Sequence, residues 1–159
     1  MAHDKARALE PIEFMSMLQG VDDFYGQPFV LLDWQHSLLW DVYGTVNERG
    51  YRQYRYAYLE MPKKNGKTTM IAGIGLYHLI CDGPGGQIYC CAADKKQAGL
   101  VYKAACAMID QDPELAAVLK VKDSTKEIIN MDTGTIMTVL SAEAYTKHRV
   151  NPTVFIFDD

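Results

Sequence analysis

Residues 61–69, Met-Pro-Lys-Lys-Asn-Gly-Lys-Thr-Thr, hold the side chains best suited to chemistry on phosphate. Backbone N–H groups across Lys63, Lys64, Asn65 and Gly66, and those opening the helical pattern that follows, can point at anionic oxygens. Lys67 adds a positive charge with the reach to meet β- and γ-phosphates, and makes it a candidate catalytic residue. The Thr68 hydroxyl is a candidate ligand for Mg²⁺, with Thr69 beside it. Gly66 lets the backbone approach a ligand without a Cβ in the way. A β-prone run, Tyr54 to Met61, leads in, and an apolar helical pattern, Met70 to Ile80, leads out. Strand, loop ending in Gly-Lys-Thr and helix is the layout of a P-loop. The full pattern has Gly where this chain has Met61, so the loop alone leaves a basic surface turn as a second reading.

The other end of the chain supplies what a P-loop needs beside it. Val154-Phe-Ile-Phe157 is an apolar run that ends in Asp158-Asp159. Asp158 is placed to hold the metal and Asp159 to polarise an attacking water as general base. Taken alone, the same run also reads as a buried strand ending in a polar turn. The combination of loop and acid-ended strand, with strand and helix patterns alternating between them, favours nucleotide binding. Arg149 lies on the loop before that run, with Lys147 and His148. Three roles stay open for it: stabilising charge on a γ-phosphate in its own or a neighbouring subunit, a solvent-facing basic loop, or a phosphate contact on DNA.

These groups need elements to carry them. The chain has 159 residues, 48% hydrophobic and 23% charged, which suits one soluble globular domain with a real core. A net charge of −4 gives no overall basic field, so bulk electrostatics give no support for nucleic-acid binding. Cys81, Cys90, Cys91 and Cys106 lack metal-ligand spacing and read as reduced thiols. No run approaches transmembrane length, and the N-terminus has no apolar signal core.

Residues 1–26 read as a helical segment, Ala6 to Leu18, with Phe14, Met17 and Leu18 as its apolar stripe. Asp33 is the expected N-cap of a helix whose core stripe is Trp34, Leu38 and Val42. Gln35 lies off that stripe. It reads first as a solvated helix residue, and second as an adenine reader, since its amide offers a donor and an acceptor to a base edge. His36 reads as structural. The Tyr/Arg alternation over 54–61 fits a half-buried strand better than a base-stacking platform. Gln87 to Ala93 is a short apolar run fit for a buried parallel strand. Asp94-x-x-Gln97 opens a helix through Ile109, with Leu100, Ala104, Ala107 and Met108 inward. Asp112-Pro113 starts another short helix, and residues 127–140 read as a β-hairpin.

Four stretches carry a resemblance to a known family. Pro28 to Gln35 resembles an adenine-reading Gln motif. Met61 to Thr68 resembles a deviant Walker A loop that lacks the first Gly and carries an early basic residue. Ala92 to Ala98 resembles the segment after the second strand. Thr146 to Asp159 resembles the loop and Walker B strand. Together they resemble the ATPase half of the large terminase subunit, the DNA-packaging motor of tailed bacteriophages. The resemblance spans roughly residues 27–159. It implies an α/β P-loop NTPase fold of the ASCE/RecA-like kind: three αβα layers around a mainly parallel sheet, incomplete at the C-terminal end. It implies ATP and Mg²⁺ as cofactors, Gln35 on the adenine, and a nucleotide contact for Lys63. For the complete protein it implies double-stranded DNA, a small terminase subunit and a portal as partners, a homo-oligomeric ring, and the host cytoplasm as location, with no membrane. The family has Asp-Glu at the end of Walker B, where this chain has Asp158-Asp159, one methylene shorter at the base. Members continue past that point into a coupling motif and a nuclease domain, so the expectation is an N-terminal piece. Two alternatives stand beside the packaging ATPase: a nucleotide-binding fragment without turnover, and a helicase-like motor on nucleic acid.

Overall fold

A computed structural model describes residues 2–21, 24–62, 66–146 and 151–158. A five-stranded sheet positions everything else. Its strands are β3 (Gln87–Ala92), β4 (Leu119–Lys122), β5 (Glu127–Asn130), β6 (Ile136–Ser141) and β7 (Val154–Asp158). Their order is β4-β5-β6-β3-β7. β3 runs parallel to both β6 and β7, whereas β4-β5 and β5-β6 are antiparallel, so a parallel centre carries an antiparallel wing. Two further strands, β1 (Ala2–His3) and β2 (Thr45–Val46), form a separate two-stranded ribbon.

The helices are α1 (Lys5–Ser16), α2 (Asp33–Gly44), α3 (Lys67–Cys81), α4 (Lys95–Asp110), α5 (Pro113–Val118) and α6 (Ala142–Thr146). α3 and α4 lie side by side on one face of the sheet. That face carries Ile88, Cys90, Met137 and Val139, all buried. Gly75 lets α3 approach it closely: a Cβ there would stand 2.7 Å from Met137 Cε. The opposite face carries Tyr89 and Phe155, which are register partners, and α6 touches both through the Tyr145 ring while leaving Phe155 partly exposed. Among the described residues α6 alone represents the expected third layer.

Several local expectations are corrected. Residues 54–61 form no strand, and Tyr56 and Tyr58 are 92% and 89% exposed. A strand needs a ladder partner. β7 is the edge of the sheet, and nothing among the described residues pairs between it and this segment. The two instead flank a cavity of about 810 Å³. Leu32, not Asp33, is the N-cap of α2. The buried face of α2 is Gln35 and Leu39, while Trp34, Leu38 and Val42 are half-buried. Likewise α1 buries Ala8, Ile12 and Met15 and leaves Met17 exposed, because its stripe faces α2 and α3. Leu100 is exposed on α4, where Val101, Ala104, Ala105 and Met108 face inward. Asp94 and Asp112 cap α4 and α5 by accepting from the Gln97 and Leu115 N–H groups.

α3 is fixed at both ends. Near its C-terminus, the Asn130 amide donates to the Leu79 carbonyl at 2.9 Å. At its N-terminus, the Gln35 amide donates to the Gly66 carbonyl at 3.2 Å. The apolar body of the helix leaves its first turn in one place relative to the strand ends.

Candidate active site

Gly66 is the N-cap of α3 and sits in the left-handed region, φ 77°, where Gly has no Cβ penalty. It offers no side chain to cap the helix, and the first turn contains no acid. Among the described residues no side chain caps the N–H groups that open this 15-residue helix, whose N-terminus carries a partial positive charge. Thr68 and Thr69 are half-buried in that first turn.

β7 delivers the acid. Its pairing with β3 runs from Ile88 opposite Val154 to Ala92 opposite Asp158, and the Asp158 carbonyl accepts from the Ala93 N–H at 3.1 Å. Asp158 thus sits at the carboxyl end of a parallel strand, where open α/β sheets place their ligands. Its side chain is only 7% exposed, and one oxygen lies 3.3 Å from Lys67 Nζ. A helix N-terminus, an ammonium and a buried carboxylate therefore meet at one point, although Lys67 and Asp158 are 91 positions apart in the chain.

Of the residues singled out in the sequence, the structure brings together Gly66, Lys67, Thr68, Thr69, Asp158 and Gln35. Gln35 is not solvated. It is 1% exposed, its Oε1 accepts from the Leu32 N–H at 2.8 Å, and its Nε2 reaches Gly66. Lys63, Lys64, Asn65, Arg149 and Asp159 lie outside the described residues, as do Lys147 and His148. For a metal, Thr68 and Asp158 offer only oxygen, the donor type Mg²⁺ takes, and Mg²⁺ fills the rest of its shell from phosphate and water. The buried Asp158 carboxylate, already facing a cation in Lys67, fits that requirement.

The cavity beside β7 runs from Lys67 and Asp158 to a second polar cluster at Tyr43, Arg52 and His78. There the Tyr43 hydroxyl lies 2.7 Å from His78 Nε2, and His78 Nδ1 lies 3.0 Å from Asp82. The Arg52 guanidinium lies over the Tyr43 ring at 5.4 Å. Burial pushes the Tyr43 hydroxyl up to about 12, against a lowering by Arg52. Nothing in the sequence reading singles out this chain of groups. The four-residue spacing of His78 and Asp82 is the available signal, and Tyr43 is too far away in sequence to be found. Burial also pushes up the thiols of Cys90, to about 12, and Cys91, to about 11, so both are protonated, inert core groups at neutral pH.

Comparison with known proteins gives the family and the fold. A family model described as terminase large subunit, ATPase domain, matches residues 33–159. The large terminase subunit of Enterobacteria phage HK97 is 34% identical over 138 residues, covering 84% of this chain and 26% of that protein. The crystal structure of the HK97 bacteriophage large terminase superposes with a TM-score of 0.84 at 32% identity, over 96% of this chain and 31% of that one. This chain thus spans between a quarter and a third of the length of those relatives. It is an α/β protein of P-loop ATPase fold, and it belongs to the terminase large subunit ATPase domain family.

Proposed function

We propose that this chain is the ATP-binding and ATP-hydrolysing part of a phage packaging motor. The observation that carries the reading is Lys67 at the N-terminus of α3, 3.3 Å from the buried Asp158 at the end of β7. The first-turn N–H groups and Lys67 bind the phosphates of ATP, with Lys63, Lys64, Asn65 and Gly66 as further nucleotide-binding residues. Thr68 and Asp158 hold Mg²⁺, which when bound neutralises charge on the β- and γ-phosphates. Asp159 accepts a proton from the attacking water. Arg149 stabilises charge developing on the γ-phosphate, in its own or a neighbouring subunit.

Residues 27–159 form the ATPase unit and residues 1–26 a helical segment packed on it. The complete protein acts on double-stranded DNA as a homo-oligomeric ring, with a small terminase subunit and a portal, in the cytoplasm of the bacterial host. No helix among the described residues is long and apolar enough to cross a membrane. Phosphate release from ATP, measured with and without Mg²⁺ beside Lys67→Ala, tests the reading. Turnover that needs Mg²⁺ and is lost in the variant supports it. Nucleotide-dependent thermal stabilisation without turnover makes the chain a binding fragment, a reading that the exposed edge of β7 favours. Absence of both responses defeats the nucleotide reading.

A further inference from the structure

Among the described residues β7 pairs only with β3, so no second neighbour fixes how far along β3 it lies. Its own pattern leaves that choice open. Val154 and Ile156 share the packed face with Ile88 and Cys90, and Phe155 and Phe157 take the other face. A slip of two residues toward the carboxyl end would keep Val154 and Ile156 on the packed face, with Val154 opposite Cys90. It would also carry Asp158 past the end of β3 by about 6.6 Å. That takes the carboxylate out of reach of Lys67 Nζ, which lies 3.3 Å from it. The opposite slip is closed, because it sets Asp158 beside Cys90 inside the sheet.

The residue before the strand blocks the first slip. The Thr153 N–H donates to the Gln87 carbonyl at 2.8 Å. Thr153 Oγ1 donates to the same carbonyl at 3.0 Å and accepts from the Gln87 N–H at 3.1 Å. One residue thus engages both backbone groups of the first residue of β3. The slip would break all three bonds and set Pro152, which has no N–H to give, opposite Ile88. Gly86 leaves room for this contact: a Cβ there would stand 3.4 Å from Thr153 Oγ1 and 3.2 Å from Thr135 Cγ2. The pairing then runs unbroken from Ile88 opposite Val154 to Ala92 opposite Asp158, so a register set at the start of the strand is carried to the acid at its end.

We propose that Thr153 is a positioning residue for Asp158: its hydroxyl sets the register of β7 on β3 and so fixes the acid beside Lys67 from the far end of the strand. The consequence for metal binding rests on the nucleotide reading above.

The test uses the full chain as Thr153→Val, which keeps the shape and loses the hydroxyl, and as Thr153→Ser, which keeps the hydroxyl. Thr153→Ala decides the matter if Thr153→Val does not fold. NMR contacts between Ile88 and Val154, and between Ala92 and Asp158, read the register itself. The affinity for ADP without metal, and for Mn²⁺ with ADP bound, reads the site. In Thr153→Val the parent contacts are expected to split or vanish, and Mn²⁺ to bind about tenfold more weakly, as the fraction of chains with Asp158 in place falls. Metal-free ADP keeps its parent affinity, because Lys67 and α3 do not move with β7. Thr153→Ser restores both the contacts and the Mn²⁺ affinity. Parent contacts and parent Mn²⁺ affinity in Thr153→Val overturn the proposal and leave the nucleotide reading intact. Equal losses of ADP and Mn²⁺ affinity that Thr153→Ser does not rescue make Thr153 a general stabiliser, which also overturns it. A parent chain that binds neither ADP nor Mn²⁺ overturns both readings.

Discussion

Replacing Lys67 by alanine removes the cation 3.3 Å from a carboxylate whose side chain is 7% exposed. At an effective dielectric near 20, unit charges at that distance attract by about 5 kcal/mol, most of it offset by desolvation. Deleting one partner of a buried pair costs ~3–5 kcal/mol, because the other charge stays buried and alone. The Lys67 side chain keeps 28% of its surface, so solvent screening brings the expected loss for Lys67→Ala to about 2 kcal/mol. Asp158→Asn removes the charge that needs a partner and leaves a partly solvated ammonium, so it costs roughly 1 kcal/mol. The double variant leaves neither charge. It should be less destabilised than the sum of the singles, with a coupling of about 1–2 kcal/mol. Urea unfolding of the four proteins measures this, provided the slope with denaturant stays constant. Additive costs, or a Lys67→Ala variant as stable as the parent, would refute the claim that the pair is a buried, coupled unit.

Three further outcomes follow from other parts of the structure. Cys90 and Cys91 keep their protons to about pH 12 and 11, whereas unfolded thiols lose theirs near 9. The native state then binds more protons than the unfolded one above pH 9, so stability is intact below pH 9 and falls as pH rises. At pH 10 the loss is about 1 kcal/mol for each thiol, read as a lower urea midpoint than at pH 8. Tyr43→Phe strips the hydroxyl from His78, which is 5% exposed, and should cost about 1–3 kcal/mol in equilibrium unfolding; a neutral substitution would contradict the bond. The outer edge of β7, with Phe155 and Phe157 43% and 51% exposed beside it, should promote concentration-dependent self-association. Sedimentation should show a rising mean mass that Phe157→Lys reduces, and a chain monomeric throughout counts against it.

The elements that local chemistry determines are readable without coordinates. α3 and α4 carry long apolar patterns, and Asp94 and Asp112-Pro113 mark helix starts by a cap that needs only a few residues. The hairpin of β5 and β6 is set by the turn between two short apolar runs. Lys67 and Asp158 are legible because each ends a recognisable local pattern, and the sheet then brings them together. Gln35 is misread for the opposite reason. A polar residue off an apolar stripe looks solvated, and its partner at Gly66 lies 31 residues away. The four-residue spacing of Trp34, Leu38 and Val42 marks the flank of the buried face of α2: Trp34 and Leu38 pack against the core half-buried, while Gln35 and Leu39 lie at its centre. Residues 54–61 alternate like a strand, yet alternation describes only side chains, and a ladder depends on a neighbour that no local pattern names. β4 is missed because Leu119–Lys122 is short and half charged.

The parallel pairing of β7 with β3 also orders events during synthesis. β3 is complete at Ala92, but its second neighbour starts at Val154, 62 residues later. Lys67 precedes Asp158 by 91 positions, an interval of about 5 to 20 s at ribosomal rates. During that time α3 can form, and once Ser141 is made β6 can dock on one side of β3, while the other side stays an open edge. Contacts so far apart in sequence form late, because the intervening chain must first be ordered. The acidic half of the site therefore arrives last, and its meeting with Lys67 marks the end of folding for this part of the chain. A nascent chain stalled before β7 would hold a formed helix and no site.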